Sequence, residues 1–206
     1  MTFPDIAASL AAHHPAGVYA PGVKSAAVAL ILREGSEGLE VLFIERASHD
    51  GDPWSGDLGF PGGKIEPHDP GPREAAERET LEELGLDLSA ASCLGRLADI
   101  VGANVPIRVS CFVYGLCGNP TLMPGSEVRD AFWVPLADLC DPVRHKAAEV
   151  RFGGETFERP AILLPVEGKP VLWGITYRLI MGFLSVAAVE GCPEMGKIVA
   201  EMGRAG

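Results

Sequence analysis

The stretch Gly59-Phe-Pro-Gly-Gly-Lys-Ile-Glu-Pro-His-Asp-Pro-Gly-Pro-Arg-Glu-Ala-Ala-Glu-Arg-Glu-Thr-Leu-Glu-Glu-Leu-Gly-Leu86 decides how the rest of the chain is read. It opens on glycines, turns on prolines and ends in a segment crowded with carboxylates. Gly71 suits a helix N-cap, with Pro72 at the first helical position, where the missing N–H costs nothing. Gly85 is the expected left-handed stop. The helix predicted between them carries Ala76, Thr80, Leu81 and Leu84 on an apolar arc and Glu79, Glu82 and Glu83 on another. Like charges at i,i+3 and i,i+4 repel, so three acids on one side weaken the helix unless a cation binds them. With Cβ atoms about 5–6 Å apart, they offer oxygen ligands to a hard ion. Mg2+ takes a few carboxylates, several waters and substrate phosphates. The glycines ahead of the helix let the backbone approach and lend carbonyls. For the three glutamates alone, a solvated acidic face is the plain alternative.

Outward from this stretch, Lys24 to Arg33 reads as a buried strand and Leu39 to Arg46 as its hairpin partner across a Glu34–Gly38 turn. Ser48 to Asp57 reads as a loop and Leu58 to Pro61 as a brief strand. Further strands are expected at Leu94 to Val101, Ile107 to Leu116 and Val128 to Val134, with a helical turn over Pro135 to Cys140. Short strands are expected at Glu149 to Phe152, Thr156 to Arg159 and Ile162 to Val166. Helices are expected near Pro4 to His13 and from Trp173 to Val189. Residues 190–206 read as a peripheral helix or a loose end. Strands and helices mix without strict βαβ alternation, which points to an α+β, mixed-sheet domain.

A chain of 206 residues that is 47% hydrophobic has the apolar content for a sizeable core. A net charge of -11 repels phosphate backbones, so long nucleic acid is a poor partner while small metal-complexed anions are not. The five cysteines are odd in number and widely spaced, with no C-x-x-C pair. They argue against a zinc site or disulfide framework and fit a reducing, cytoplasmic setting. Cys111 and Cys117 read as packing residues. No signal peptide is expected at the amino terminus, and Trp173 to Val189 is short for a bilayer span, so no membrane is implicated.

The joint pattern is far more specific than any part of it. Gly63, five residues, Asp69, eight residues and Arg78-Glu79-Thr80-Leu81-Glu82-Glu83-Leu84-Gly85-Leu86 resembles the Nudix hydrolase box, G-x5-E-x7-R-E-U-x-E-E-x-G-U, where U is apolar. A Walker A loop is excluded, because Ile65 follows Gly63-Lys64 where Ser or Thr is needed. Asp69 in place of glutamate, with a spacer one residue longer, is similar to the coenzyme A diphosphatase branch, as are Phe60-Pro61-Gly62-Gly63 and Glu66. Glu127-Val128 ahead of Phe132-Trp133-Val134-Pro135-Leu136, and Trp173-Gly174-Ile175-Thr176-Tyr177-Arg178, resemble further segments of that branch. Its substrate-specific loop, R-S-x-x-x-R-x-x-x-G, is incomplete. Ala47 follows Arg46, Gly51 stands where the second arginine belongs, and Gly56 comes one residue late.

The resemblance implies a Nudix-type α/β/α sandwich with a mixed sheet. It would span residues 23–189, with 1–22 as an N-terminal extension and 190–206 as a tail. It implies Mg2+ or Mn2+ held by Glu79, Glu82 and Glu83 with carbonyls of Gly62 and Gly63, and Arg78 orienting the glutamates. Glu127 is the candidate base from outside the box. Arg46 and Lys64 are candidates for substrate phosphates, and Trp54 either stacks on a base or packs its loop. The expected substrate is a small nucleotide diphosphate derivative, coenzyme A or a related compound, with ADP-ribose or a dinucleotide as the alternative. A binding module that kept the fold and lost catalysis is the rival from another class. The resemblance leaves room for a homodimer.

Overall fold

The computed structural model describes residues 1–15, 17, 22–48, 54–103, 105–189 and 192. Helix α1 spans Phe3–Ala12, and strands β1 (Lys24–Gly35) and β2 (Gly38–Arg46) form the expected hairpin, closed where Gly35 faces Gly38. β3 (Leu58–Gly59) and β4 (Gly62–Lys64) lead into helix α2 (Pro72–Leu84). β5 (Ser92–Arg96), β6 (Ile100–Val101), β7 (Ile107–Leu116) and β8 (Val128–Pro135) follow, then helix α3 (Leu136–Cys140). β9 (His145–Phe152), β10 (Glu155–Ile162) and helix α4 (Gly174–Val186) complete the described elements.

Eight strands make one mixed sheet with β3-β2-β1-β7-β5 as its path, while β4 pairs with β1, β6 with β7 and β8 with β2. β1 and β7 run parallel from Lys24↔Ile107 to Arg33↔Leu116, and the other pairs are antiparallel. The central strands are apolar on both faces, as the sequence of β1 requires. Leu30 and Leu32 join one core with Ile6 and Leu10 of α1, Leu139 of α3 and Ile180 and Phe183 of α4. Ala27, Ala29 and Ile31 join the other with Ala75, Ala76 and Leu84 of α2. Period-2 alternation therefore sorts one strand's side chains between two helix layers, giving the expected α/β/α sandwich. β9 and β10 form a separate ribbon, turned by Gly153 and Gly154 at φ +60° and +84°, a conformation glycine adopts without strain.

Some expectations are corrected. The strand expected over Leu94 to Val101 breaks in two. Asp99 turns inward between them to accept from Ser110 Oγ (2.9 Å) and Arg96 Nη2 (2.6 Å). The three short strands expected over 149–166 are two longer ones. Leu81 leaves the apolar arc of α2 and is 50% exposed, while Ala75 and Glu83 are buried. Cys111 packs in the core as expected, but Cys117 is exposed. Cys140 and Cys192 form a disulfide, with Cα atoms 4.3 Å apart. That pairing corrects the reading of the cysteines as arguing against disulfides. Among the described residues no helix is long and apolar enough to cross a membrane. The fold expected for 190–206, save Cys192, and the residue at Gly51 lie outside the described residues.

Candidate functional site

The site begins where a strand meets a helix at van der Waals range. Gly62 in β4 has φ +146°, and a Cβ there would fall 2.6 Å from the Val28 Cα and closer still to the Ala27 carbonyl. Only glycine fits. With no side chain in the way, the Gly62 N–H donates to Glu83 Oε2 at 2.9 Å. At Gly63 a Cβ would sit 2.5 Å from the Glu79 carboxyl carbon. The two glycines thus seat the backbone directly against two carboxylates of α2.

Helix α2 has the ends its sequence requires, with Gly71 as N-cap, Pro72 in the first turn and Gly85 at φ +62°, its N–H bonded to Leu81 O. Thr80 replaces an apolar residue on the buried face at no polar cost, because its hydroxyl donates to Ala76 O at 2.7 Å. The last carbonyls of a helix need outside donors. Here Gly125 N–H donates to Glu83 O and Met123 N–H to Leu84 O, each at 2.8 Å. The loop ahead of β8 is thereby fixed to the end of α2. Sequence reasoning missed these amides, whose signal is backbone geometry rather than residue type.

Arg78 ties the box together. Its Nε and Nη2 grip Asp69 Oδ1 and Oδ2 at 2.9 and 3.0 Å, and Nη2 also donates to Lys64 O at 3.1 Å. Its Nη1 donates to Glu79 Oε1 (3.0 Å) and Glu82 Oε2 (3.1 Å). Asp69 in turn accepts from Glu66 N–H at 2.7 Å. The bidentate Arg78 contact, helped by that amide, pulls the Asp69 carboxyl down to about 2.

Glu83 is the unusual group, a carboxylate residue only 6% exposed. Burial pushes its pKa up to about 7 against the Gly62 amide and the Arg46 charge, with Glu79 and Glu127 adding repulsion. Glu79 is raised as well, chiefly by burial, with Arg78 opposing and Glu82 and Glu127 contributing. Two neighbouring carboxylates that resist ionising together attract a cation.

The structure thus brings together Glu79, Glu83, Gly62, Gly63 and Arg78, with Glu82 on the exposed outer side. Arg46, at the end of β2, and Glu127 join them from across the helix. Ala47 N–H donates to Glu127 O at 2.8 Å, and both side chains act electrostatically on Glu83. Lys64 contributes its carbonyl while the residue itself is exposed. Trp54 packs on Phe152 of the ribbon, ring centroids 6.1 Å apart, which gives structural content to the loop-packing alternative. Among the described residues no three His, Cys, Asp or Glu side chains form a cage able to hold a metal unaided. The donor set is oxygen only, the buried Glu83 and half-buried Glu79 carboxylates beside closely packed glycine backbone. That suits Mg2+-like binding, in which water and substrate oxygens complete the shell.

The NUDIX domain family matches residues 23–153. Mitochondrial coenzyme A diphosphatase NUDT8 of Homo sapiens is 31% identical over 142 residues, 66% of this chain and 58% of that protein. Nudix hydrolase 15, mitochondrial, of Arabidopsis thaliana is 30% identical over 183 residues, 83% of this chain and 63% of that protein. The chain spans between 33% and 63% of the length of the curated relatives it matches. In structure it is similar to a MutT/nudix family protein from Enterococcus faecalis, with TM-score 0.56 and 16% identity, covering 97% of this chain and 75% of that one. With the family match running through both central strands, the glycine loop and the carboxylate helix, this chain belongs to the NUDIX domain family.

Proposed function

We propose that the protein is a divalent-cation-dependent hydrolase that cleaves the diphosphate linkage of a nucleoside diphosphate derivative, coenzyme A or a related compound. The observation that carries this reading is the buried Glu83 carboxylate under the Gly62 amide, beside Glu79 and facing Arg46. Glu79, Glu83 and the Gly62 or Gly63 carbonyl would hold the ion, with Glu82 at its outer side. Once bound, Mg2+ or Mn2+ would neutralise the diphosphate and acidify a water for in-line attack on phosphorus. Arg78 fixes the glutamate rotamers through its fork. Arg46 supplies a fixed positive charge for a phosphate oxygen. Glu127, anchored through its carbonyl to Ala47, takes the proton of the attacking water. Catalysis is chiefly positioning and charge neutralisation.

The incomplete loop pattern after Arg46 favours a second reading in which the substrate is ADP-ribose or a dinucleotide. The relative named a coenzyme A diphosphatase supports the first. Purified protein with Mg2+ or Mn2+, assayed against coenzyme A, ADP-ribose and dinucleotides, decides between them. Turnover of ADP-ribose with none of coenzyme A overturns the first reading. Full activity in Glu83→Gln overturns the site assignment, and no turnover of any diphosphate supports the non-catalytic rival.

A further inference from the structure

Outside the box the chain buries a second carboxylate. Glu45, 5% exposed, is the residue before Arg46. It lies on the face of β2 opposite α2, where Phe43 enters the other core. Its Oε1 accepts from Arg129 Nη1 at 2.8 Å and its Oε2 from Lys169 Nζ at 2.9 Å. Lys169 also pairs with Asp130 and lies 5.0 Å from the centroid of the Phe132 ring. Arg129 Nη2 donates to Ser48 Oγ at 3.0 Å. A buried ion pair seldom adds stability over an apolar pair of like volume, although breaking one is costly. Its location matters more.

The β2–β8 register slips between Glu45 and Arg46, so that Glu45 faces Asp130 while Arg46 faces Val128. Bulges of this kind re-aim side chains beside active sites. Just past the slip, Ala47 N–H holds the Glu127 carbonyl. Arg129 sits two residues after Glu127 and bonds back across the slip to Glu45 and Ser48. Lys169 arrives from the segment between β10 and α4, beyond the residues matched by the family.

We infer that Glu45, Arg129 and Lys169 form a charge clamp that fixes the β2–β8 slip and so positions Arg46 and Glu127 over the carboxylate helix. The three are positioning residues and touch no substrate. This rests on the hydrolase reading for its effect on rate, but not for its geometry. The clamp also gives the segment after the ribbon a part in building the site.

Two readouts test it, one of them independent of turnover. In Glu45→Gln the shape is kept and the charge removed. The Ala47 amide should then exchange with solvent about tenfold faster, as expected for loss of one charge-assisted contact, while the Leu30 amide in β1 stays at its wild-type rate. On whichever diphosphate the wild type cleaves, kcat should fall about tenfold to a hundredfold, the usual cost of a misplaced reacting group. Glu45→Gln placed on Glu127→Gln should cost less kcat than it does in the wild type, because part of its effect passes through Glu127. Should Glu45→Gln not fold, Lys169→Met and Lys169→Arg replace it, the first losing Ala47 protection and the second keeping it. Unchanged Ala47 exchange, or additive losses in the double variant, overturns the clamp. Wild-type protein that cleaves no diphosphate overturns the hydrolase reading instead and leaves the exchange experiment to decide the clamp.

Discussion

The Gly62 N–H and the Glu83 carboxylate, 21 residues apart in sequence, meet at 2.9 Å between two buried residues. One amide does not compensate for burial, which holds the Glu83 pKa near 7. A carboxyl whose folded pKa is raised favours the fold fully below its unfolded value of 4.5, and loses that contribution as pH rises through about 7. The size is roughly 3 kcal/mol. In chelator, the melting temperature should fall between about pH 5 and pH 7.5. Glu83→Gln should flatten that fall, and added Mg2+ should oppose it by favouring the charged form. Asp69 acts in a separate window, because its lowered pKa withdraws stability only as pH falls from 3.8 towards 2. Scanning calorimetry across pH checks both signs.

Gly62 and Gly63 should respond differently to alanine. At Gly62 the added Cβ meets backbone at a positive φ, so Gly62→Ala should cost several kcal/mol, about 2–4, and lower the melting temperature sharply. At Gly63 the Cβ meets only the end of the Glu79 side chain. Gly63→Ala should fold normally and lose about a hundredfold in kcat, with weaker Mn2+ binding in a titration.

Arg78→Lys keeps a charge and loses the fork that holds Asp69, Glu79 and Glu82 at once. Activity should fall about tenfold to a hundredfold, and Asp69→Asn should show a loss of the same order. The two changes together should cost little more than either alone, because they break one contact. Steady-state kinetics on the four proteins measures this.

Cys93, Cys111 and Cys117 are free, and Cys140 is bonded to Cys192. Denatured, unreduced protein should therefore show three reactive thiols in a colorimetric titration, and five after reduction. Five before reduction would remove the Cys140–Cys192 bond.

Much of this architecture can be read from the residues. The double apolar faces of β1, the turn at Gly35 to Gly38 and the Gly71–Pro72 and Gly85 ends of α2 are local signals, and they give local structure directly. Glu79, Glu82, Glu83 and Arg78 are legible as a group because their spacing is that of one helix. Their division into a buried Glu83, a half-buried Glu79 and an exposed Glu82 is not, since it depends on where β4 approaches. The helix wheel for the same reason places Leu81 on the wrong side. Cys140 and Cys192 are joined by tertiary proximity alone. The same holds for Glu45, whose cover by Arg129 and Lys169 comes from segments far away in sequence.

The parallel pairing of β1 with β7 has a consequence for how the molecule forms. Ser25 and Arg108, bonded across that pair, lie 83 residues apart, and nothing shorter can close the middle of the sheet. Pairings of such sequence separation carry a large entropic cost before any contact offsets it, and they slow folding. The glycine loop and the carboxylate helix lie inside the span that this pairing closes. Their assembly is therefore coupled to a long-range step in the folding of the chain. A nascent or truncated chain ending before β7 would hold every residue of the box and still lack the central pairing against which it is set.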